Sequence, residues 1–247
     1  MTPASVERSE VRFGTKTIGY SITRSSRRST VSIAIDPSQG VLVTAPRPAS
    51  VKRLDDIVHS KGSWIVQALK RQSDLPPAPS QREFVSGETF LYLGRQYRLR
   101  LDVNEEPRPL RLDNGWLRVP IPRHLEEAHR CPFVRAALLD WYKRHASKRL
   151  HERASAWAEK LDLQVPDIIL AEPRRRWGSA SASGTVRINW RIVQAPLSLV
   201  DYVVLHELTH LQHPNHTRAF WAALGRVMPD YEIRKARLRN LGPQLEW

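Results

Sequence analysis

Asp201–Trp221, DYVVLHELTHLQHPNHTRAFW, carries two histidines, His206 and His210, four residues apart with Glu207 next to the first. On a helix, residues four apart lie about 40° apart around the axis, so both imidazoles can reach one metal ion from a single turn. Glu207 then stands beside the pair, close enough to hold a water. In this HExxH pattern the histidines bind zinc and the carboxylate is a general base rather than a ligand. The flanks agree: Tyr202 to Leu205, Leu208 and Leu211 give the helix an apolar side that would pin the histidines to a buried wall.

A third histidine, His216, follows six residues after His210, the offset of the third ligand in HExxHxxGxxH. There a glycine turns the chain back to the metal, whereas here His213 occupies that position. A helix running straight through His213 would put His206, His210 and His213 on one face. Pro214 opposes this, because the residue before a proline is pushed out of the helical region, and the helix should end near Gln212 or His213. Histidine also tolerates the positive φ that such a turn can require. His216 is therefore preferred as third ligand, with His213 as the alternative. Three protein ligands leave a fourth position for water, as a catalytic zinc requires, and nickel, cobalt or manganese fit the same donors. Phe220 and Trp221, one turn later, read as packing that roofs the metal helix.

At 247 residues the chain can bury one large core or two modest ones. It has no apolar run of membrane-spanning length, and MTPASVERSEVR at its start lacks the apolar block of a signal peptide. A single cysteine, Cys131, forms no internal disulfide, which fits a reducing compartment and makes the cytoplasm the expected location. Lys and Arg number 39 against 25 Asp and Glu, a net charge of +14 that attracts polyanions such as nucleic acid or nucleotides.

From Val11 to Ala45 the chain alternates as strands do: Thr17 to Ile22, Thr30 to Ile35, then Gly40 to Thr44 after a turn at Asp36 to Gly40. Arg24 to Arg28 is a basic connection between the first two. Ser50 reads as the N-cap of a helical stretch from Val51 to about Gln72, which Gly62 divides or interrupts. Ser73 to Ser80, rich in proline, is the best linker candidate. Short strands at Thr89 to Leu93, Tyr97 to Leu101 and Trp116 to Val119, with no helix between them, predict an antiparallel sheet. Helical periodicity runs from Pro132 to Leu161, a helix expected to buttress the metal helix. Ile168 to Leu170 reads as a short buried strand and Thr185 to Trp190 as an alternating one. Between them, Arg174 to Ser181 is placed to supply an edge strand for an extended polypeptide. No internal repeat is visible.

Arg176-Trp177-Gly178-Ser179, Ile188-Asn189-Trp190-Arg191, the stretch from Asp201 to His210, and Asn215-His216 followed by Phe220-Trp221 resemble the YgjP-like metal-dependent hydrolases. That family is similar in turn to SprT-like and WLM-type zinc proteases. Arg24 to Arg28, Val31 to Ile33 and Trp64-Ile65 extend the resemblance into the N-terminal half. It implies a zincin-like, minigluzincin-type core with His206, His210 and His216 as zinc ligands and Glu207 as catalytic residue. The family's usual Trp-Gly-Ser-Cys reads Trp177-Gly178-Ser179-Ala180 here, so any role of that cysteine is absent. The resemblance leaves the substrate open among peptides, nucleotides such as UTP, and proteins crosslinked to DNA.

The expected fold class is α+β: an N-terminal antiparallel β-rich part with helices, followed by the zincin-like metallopeptidase core. Residues 1–75 should form β-hairpins plus helices, 76–125 antiparallel strands, and 126–247 the catalytic core, with one continuous domain as the alternative. The leading expectation for function is zinc-dependent hydrolysis of a polypeptide, with Tyr231, Arg176 and Trp177 as candidate transition-state or substrate contacts. The alternatives are a nucleotide pyrophosphatase on the same metal, against which stands the lack of a glycine-rich phosphate loop, and a DNA-associated protease or DNA-binding protein with structural zinc.

Overall fold

Strand alternation near the N-terminus builds a four-stranded sheet in the order β1 (Glu7–Phe13), β2 (Lys16–Ser25), β4 (Gly40–Pro46), β3 (Ser32–Asp36). Ile18, Tyr20 and Ile22 of β2 and Val41 and Val43 of β4 point to one buried side, where helices α1 (Val51–Ser60) and α2 (Gly62–Ser73) cover them with Leu54, Val58 and Ile65. Ser50 caps α1, its hydroxyl accepting from the Arg53 amide at 3.3 Å. Gly62 separates the helices, and a Cβ there would stand 2.2 Å from the Phe13 ring, so glycine lets β1 and α2 pack together. Asp55 of α1 accepts from Ser9 and Tyr20 and fastens the helix to the sheet. Arg24 is no free basic loop residue: it lies within β2 and donates to Glu7 and to the Ala49 carbonyl.

The computed structural model describes residues 7–36, 39–73, 82–104, 108–173, 176–245 and 247. These divide into two compact units, Met1–Pro76 and Pro77–Trp247, each with its own core. Most of the proline-rich connector at 73–80, part of the turn at 36–40, and Arg174 and Arg175 lie outside the described residues. Among the described residues no helix is long and apolar enough to cross a membrane.

The second unit opens with a sheet of order β5 (Thr89–Tyr92), β6 (Arg95–Asn104), β8 (Trp116–Pro122), β7 (Arg111–Asp113). Its outer pairs are antiparallel, as expected, but β6 and β8 run parallel, as do β2 and β4 in the first unit. Both sheets thus repeat one topology, two hairpins joined through parallel inner strands. That corrects the expectation of wholly antiparallel sheets, because turn signals report hairpins but not the long-range pairing between them.

Helix α3 (Glu127–Lys160) follows. It begins five residues before Pro132, where helical periodicity first shows. Pro132 stands past the amides that lack a helical acceptor, so it forfeits one bond, to the Ala128 carbonyl, and the helix runs through it all the same. Val134, Leu138, Trp141 and Tyr142 bury one side of its first half, and the Tyr142 hydroxyl donates to the Leu91 carbonyl at 2.6 Å. Its second half buttresses helix α4 (Leu197–Gln212): Arg153 and Trp157 donate to the Asp201 carboxylate at 2.5 and 3.0 Å.

A second, three-stranded sheet has the order β10 (Gly178–Ala180), β11 (Thr185–Asn189), β9 (Asp167–Ala171), with β10 antiparallel and β9 parallel to β11. Of the stretch expected to be a buried strand only Ile168 is fully enclosed; Ile169 on edge strand β9 is 45% exposed. The 3-10 turn Trp190–Gln194 leads into α4, and helices α5 (Arg218–Val227) and α6 (Tyr231–Leu241) complete the unit, both contacting α4.

Candidate metal centre

Helix α4 is buried over most of its length; in its last two turns His206 and His210 are half-buried while Glu207, Leu208 and Thr209 between them are buried. The helix stops at His213, which leaves the helical region at φ −128° and ψ 86°. The turn therefore uses an extended residue before Pro214, and no positive φ is needed where related patterns place glycine. Thr217 caps α5 by accepting from the Phe220 amide at 3.5 Å, which fixes the short return carrying His216.

The structure brings His206, His210 and His216 together. His216 Nε2 lies 2.9 Å from His206 Nε2 and 3.2 Å from His210 Nε2. Three nitrogens bound to one zinc at about 2.0–2.1 Å in tetrahedral geometry stand about 3.3 Å apart, so the donor set fits that ion. Protonated imidazoles could not gather so closely, and burial together with His210, His216 and Lys235 pushes His206 down to about 3. His210 Nδ1 faces the His213 carbonyl at 3.1 Å, which holds its proton there and leaves Nε2 as the free donor. His213 thus contributes a backbone oxygen, while its imidazole stays outside the cluster. His206 Nδ1 is buried without a protein partner.

Phe220 is the floor of the cluster. It is fully buried, with its ring 5.0, 4.5 and 4.8 Å from the rings of His206, His210 and His216. Trp221 stacks on exposed His216 at 5.3 Å and is itself stacked on Tyr231 at 5.4 Å.

Glu207 is 6% exposed and lies against β10. Burial raises its carboxyl to about 7, with Arg176 pulling the other way. A cavity of about 1130 Å³ opens beside it, walled by β10, α4 and residues before β9. Arg176 and Trp177 line that cavity; Tyr231 does not, and its hydroxyl donates to Glu232 at 3.3 Å. Tyr202 also lines it, one turn before His206 on the same face, with rings 5.8 Å apart. Burial, then Glu207, raises its phenol to about 12. Its place four residues ahead of the first histidine was the available signal, obscured because tyrosine in an apolar helix reads as core.

The crystal structures of the metallopeptidase zymogens abylysin of Pyrococcus abyssi and jannalysin of Methanocaldococcus jannaschii overlap this chain. For abylysin the identity is 19%, the overlap covers 38% of this chain and 97% of that one, and the TM-score is 0.36. For jannalysin the corresponding values are 21%, 38% and 88%, with a TM-score of 0.33. No curated protein matches. The family described as YgjP-like, metallopeptidase domain, matches residues 29–241, from just before β3 to the end of α6. A match of that extent takes in edge strand, metal helix and histidine cluster alike, and the chain belongs to the YgjP-like family and carries its metallopeptidase domain.

Proposed function

We infer that the chain is a zinc-dependent hydrolase of metallopeptidase type, with a zincin-like, minigluzincin-type catalytic core in residues 126–247. The observation that carries this reading is the convergence of three imidazole nitrogens on one point next to a buried carboxylate. His206, His210 and His216 would hold the ion. Bound there, zinc supplies Lewis acidity toward a carbonyl and lowers the pKa of a water in its open position toward 7.

The proton work falls to Glu207. Buried beside the three imidazoles, its carboxylate would accept a proton from the attacking water and return it to the leaving amine. Apolar enclosure by α4 and the bare backbone of Gly178 keep it in place. Edge strand β10 offers backbone groups to an extended polypeptide, and Arg176 and Trp177 flank that path as substrate contacts.

The test is metal analysis of the purified protein, followed by assays on casein and on peptides, with chelator and with zinc restored. Glu207→Gln should keep zinc and lose peptide hydrolysis. Full turnover by that variant would sink the assignment. A parallel assay on nucleoside triphosphates separates peptide from phosphoanhydride hydrolysis, since pyrophosphate release without peptide cleavage assigns the centre to the second chemistry.

A further inference from the structure

Helix α6 reaches the cavity through Leu238, which lines it; Lys235 lies one turn earlier and Arg239 is the next residue on, both exposed and outside the cavity lining. Lys235 is held in place. Its ammonium sits 4.4 Å above the Trp221 ring, and the same indole stacks on His216 at 5.3 Å, so the cation stands two ring contacts from the third imidazole. Its charge reaches the cluster, acting on both His206 and His216, while that of Arg239 reaches Tyr202 and that of Arg176 reaches Glu207. Among the described residues no carboxylate lies within ion-pair distance of Lys235, and the two carboxylates lining the cavity are Glu207 and Asp167. A cation kept beside the reaction centre, aimed by an aromatic platform and left without an anionic partner, suits an anion that arrives with the substrate.

Resting on the peptidase reading above, we propose that Lys235 is a specificity-determining residue, and that the preferred substrates are polypeptides with a carboxylate next to the scissile bond. The neighbouring residue along an extended chain begins about 3.8 Å from the reacting one, and an acidic side chain adds the remaining reach toward Lys235.

The test uses the full chain loaded with zinc and end-blocked peptides that differ only by Glu, Gln or Lys on either side of one cleavable bond. A further arm places the carboxylate at a free C-terminus beside that bond, to separate a side chain from a chain end. The expected result is a kcat/KM for Glu about three- to fivefold above Gln, carried by KM and weakened by added salt. Lys235→Gln should bring the Glu-to-Gln ratio to one and Lys235→Glu should turn it toward the Lys peptide. Lys148→Gln, which removes the same charge from the exposed surface of α3, should keep the original ratio. Cleavage with no Glu preference, or a preference that survives Lys235→Gln, overturns this proposal and leaves the peptidase reading standing. No cleavage of any peptide overturns both.

Discussion

The Glu207 carboxylate rests on the backbone of Gly178: a Cβ added at Gly178 would stand 2.6 Å from both Glu207 Cγ and Oε1. Edge strand β10 and metal helix α4 therefore approach as closely as a glycine allows, and any side chain must displace one of them. Gly178→Ala should move the carboxylate and leave the three imidazoles untouched. The expected outcome is unchanged zinc content, a modest loss of thermal stability and a fall in kcat of about a hundredfold, as follows when a proton acceptor shifts by about 1 Å. Equal kcat in the variant and the parent would show that the contact has no part in placing Glu207.

His216 is the most exposed member of the cluster and sits on a short return rather than on the helix. What fixes its ring is the Trp221 indole stacked on it at an interplanar angle of 21°, with Tyr231 stacked on that indole in turn. Trp221→Ala should let the imidazole swing and weaken zinc binding about tenfold, the smaller end of what supporting residues contribute in metal sites. Trp221→Phe, which keeps a ring, should lose less. Competition with a chromophoric chelator measures both, and an Ala variant that binds as tightly as the parent would remove the stack from the account.

The histidine and glutamate spacing on α4 was readable because helical periodicity is local, and Pro214 located the helix end for the same reason. What was not readable depended on distant partners. Gly178 presents nothing but a glycine in a small-residue run until Glu207 is packed against it, and the backbone role of His213 appears only once the chain has turned. The parallel pairs β2 with β4 and β6 with β8 escaped for that reason too, since each joins strands whose local turn signals speak only of hairpins. Tyr231, a candidate transition-state or substrate contact whose place in space the sequence does not give, stacks on Trp221 and donates its hydroxyl to Glu232, whereas Tyr202 was hidden by its apolar neighbours.

Asp201, 8% exposed, accepts from Arg153 at 2.5 and 3.1 Å and from the Trp157 indole at 3.0 Å, and so joins α3 to the start of the metal helix. Asp201→Asn keeps an acceptor for Trp157 while leaving the Arg153 guanidinium without its counter-charge. Breaking a largely buried pair from one side costs about 3 kcal/mol, and a domain of this size then melts about 6–12 °C lower. The calorimetric transition of the second unit should show that drop with zinc bound in both proteins. A shift under 2 °C, on the order of the thermal equivalent of a surface pair, would mean that solvent already screens the bridge.

Asp102 of β6 accepts from Arg118 of the neighbouring strand at 2.7 Å and from Arg100 at 3.1 Å. The Arg118 guanidinium, helped by Arg100, holds its carboxyl below the usual carboxylate range. A carboxyl depressed in the folded state binds protons more readily when unfolded, where its pKa is about 3.9, so folding is favoured most when both forms are ionised. The stabilisation is complete above about pH 5 and is lost as pH falls through the depressed folded value, which lies below the unfolded one. Asp102→Asn removes this dependence. The melting temperature of the parent minus that of the variant should be positive and flat from about pH 5 to 8, then shrink steadily below about pH 4. A difference that stays constant down to about pH 2 would show that the Asp102 carboxylate gains nothing from its two arginines.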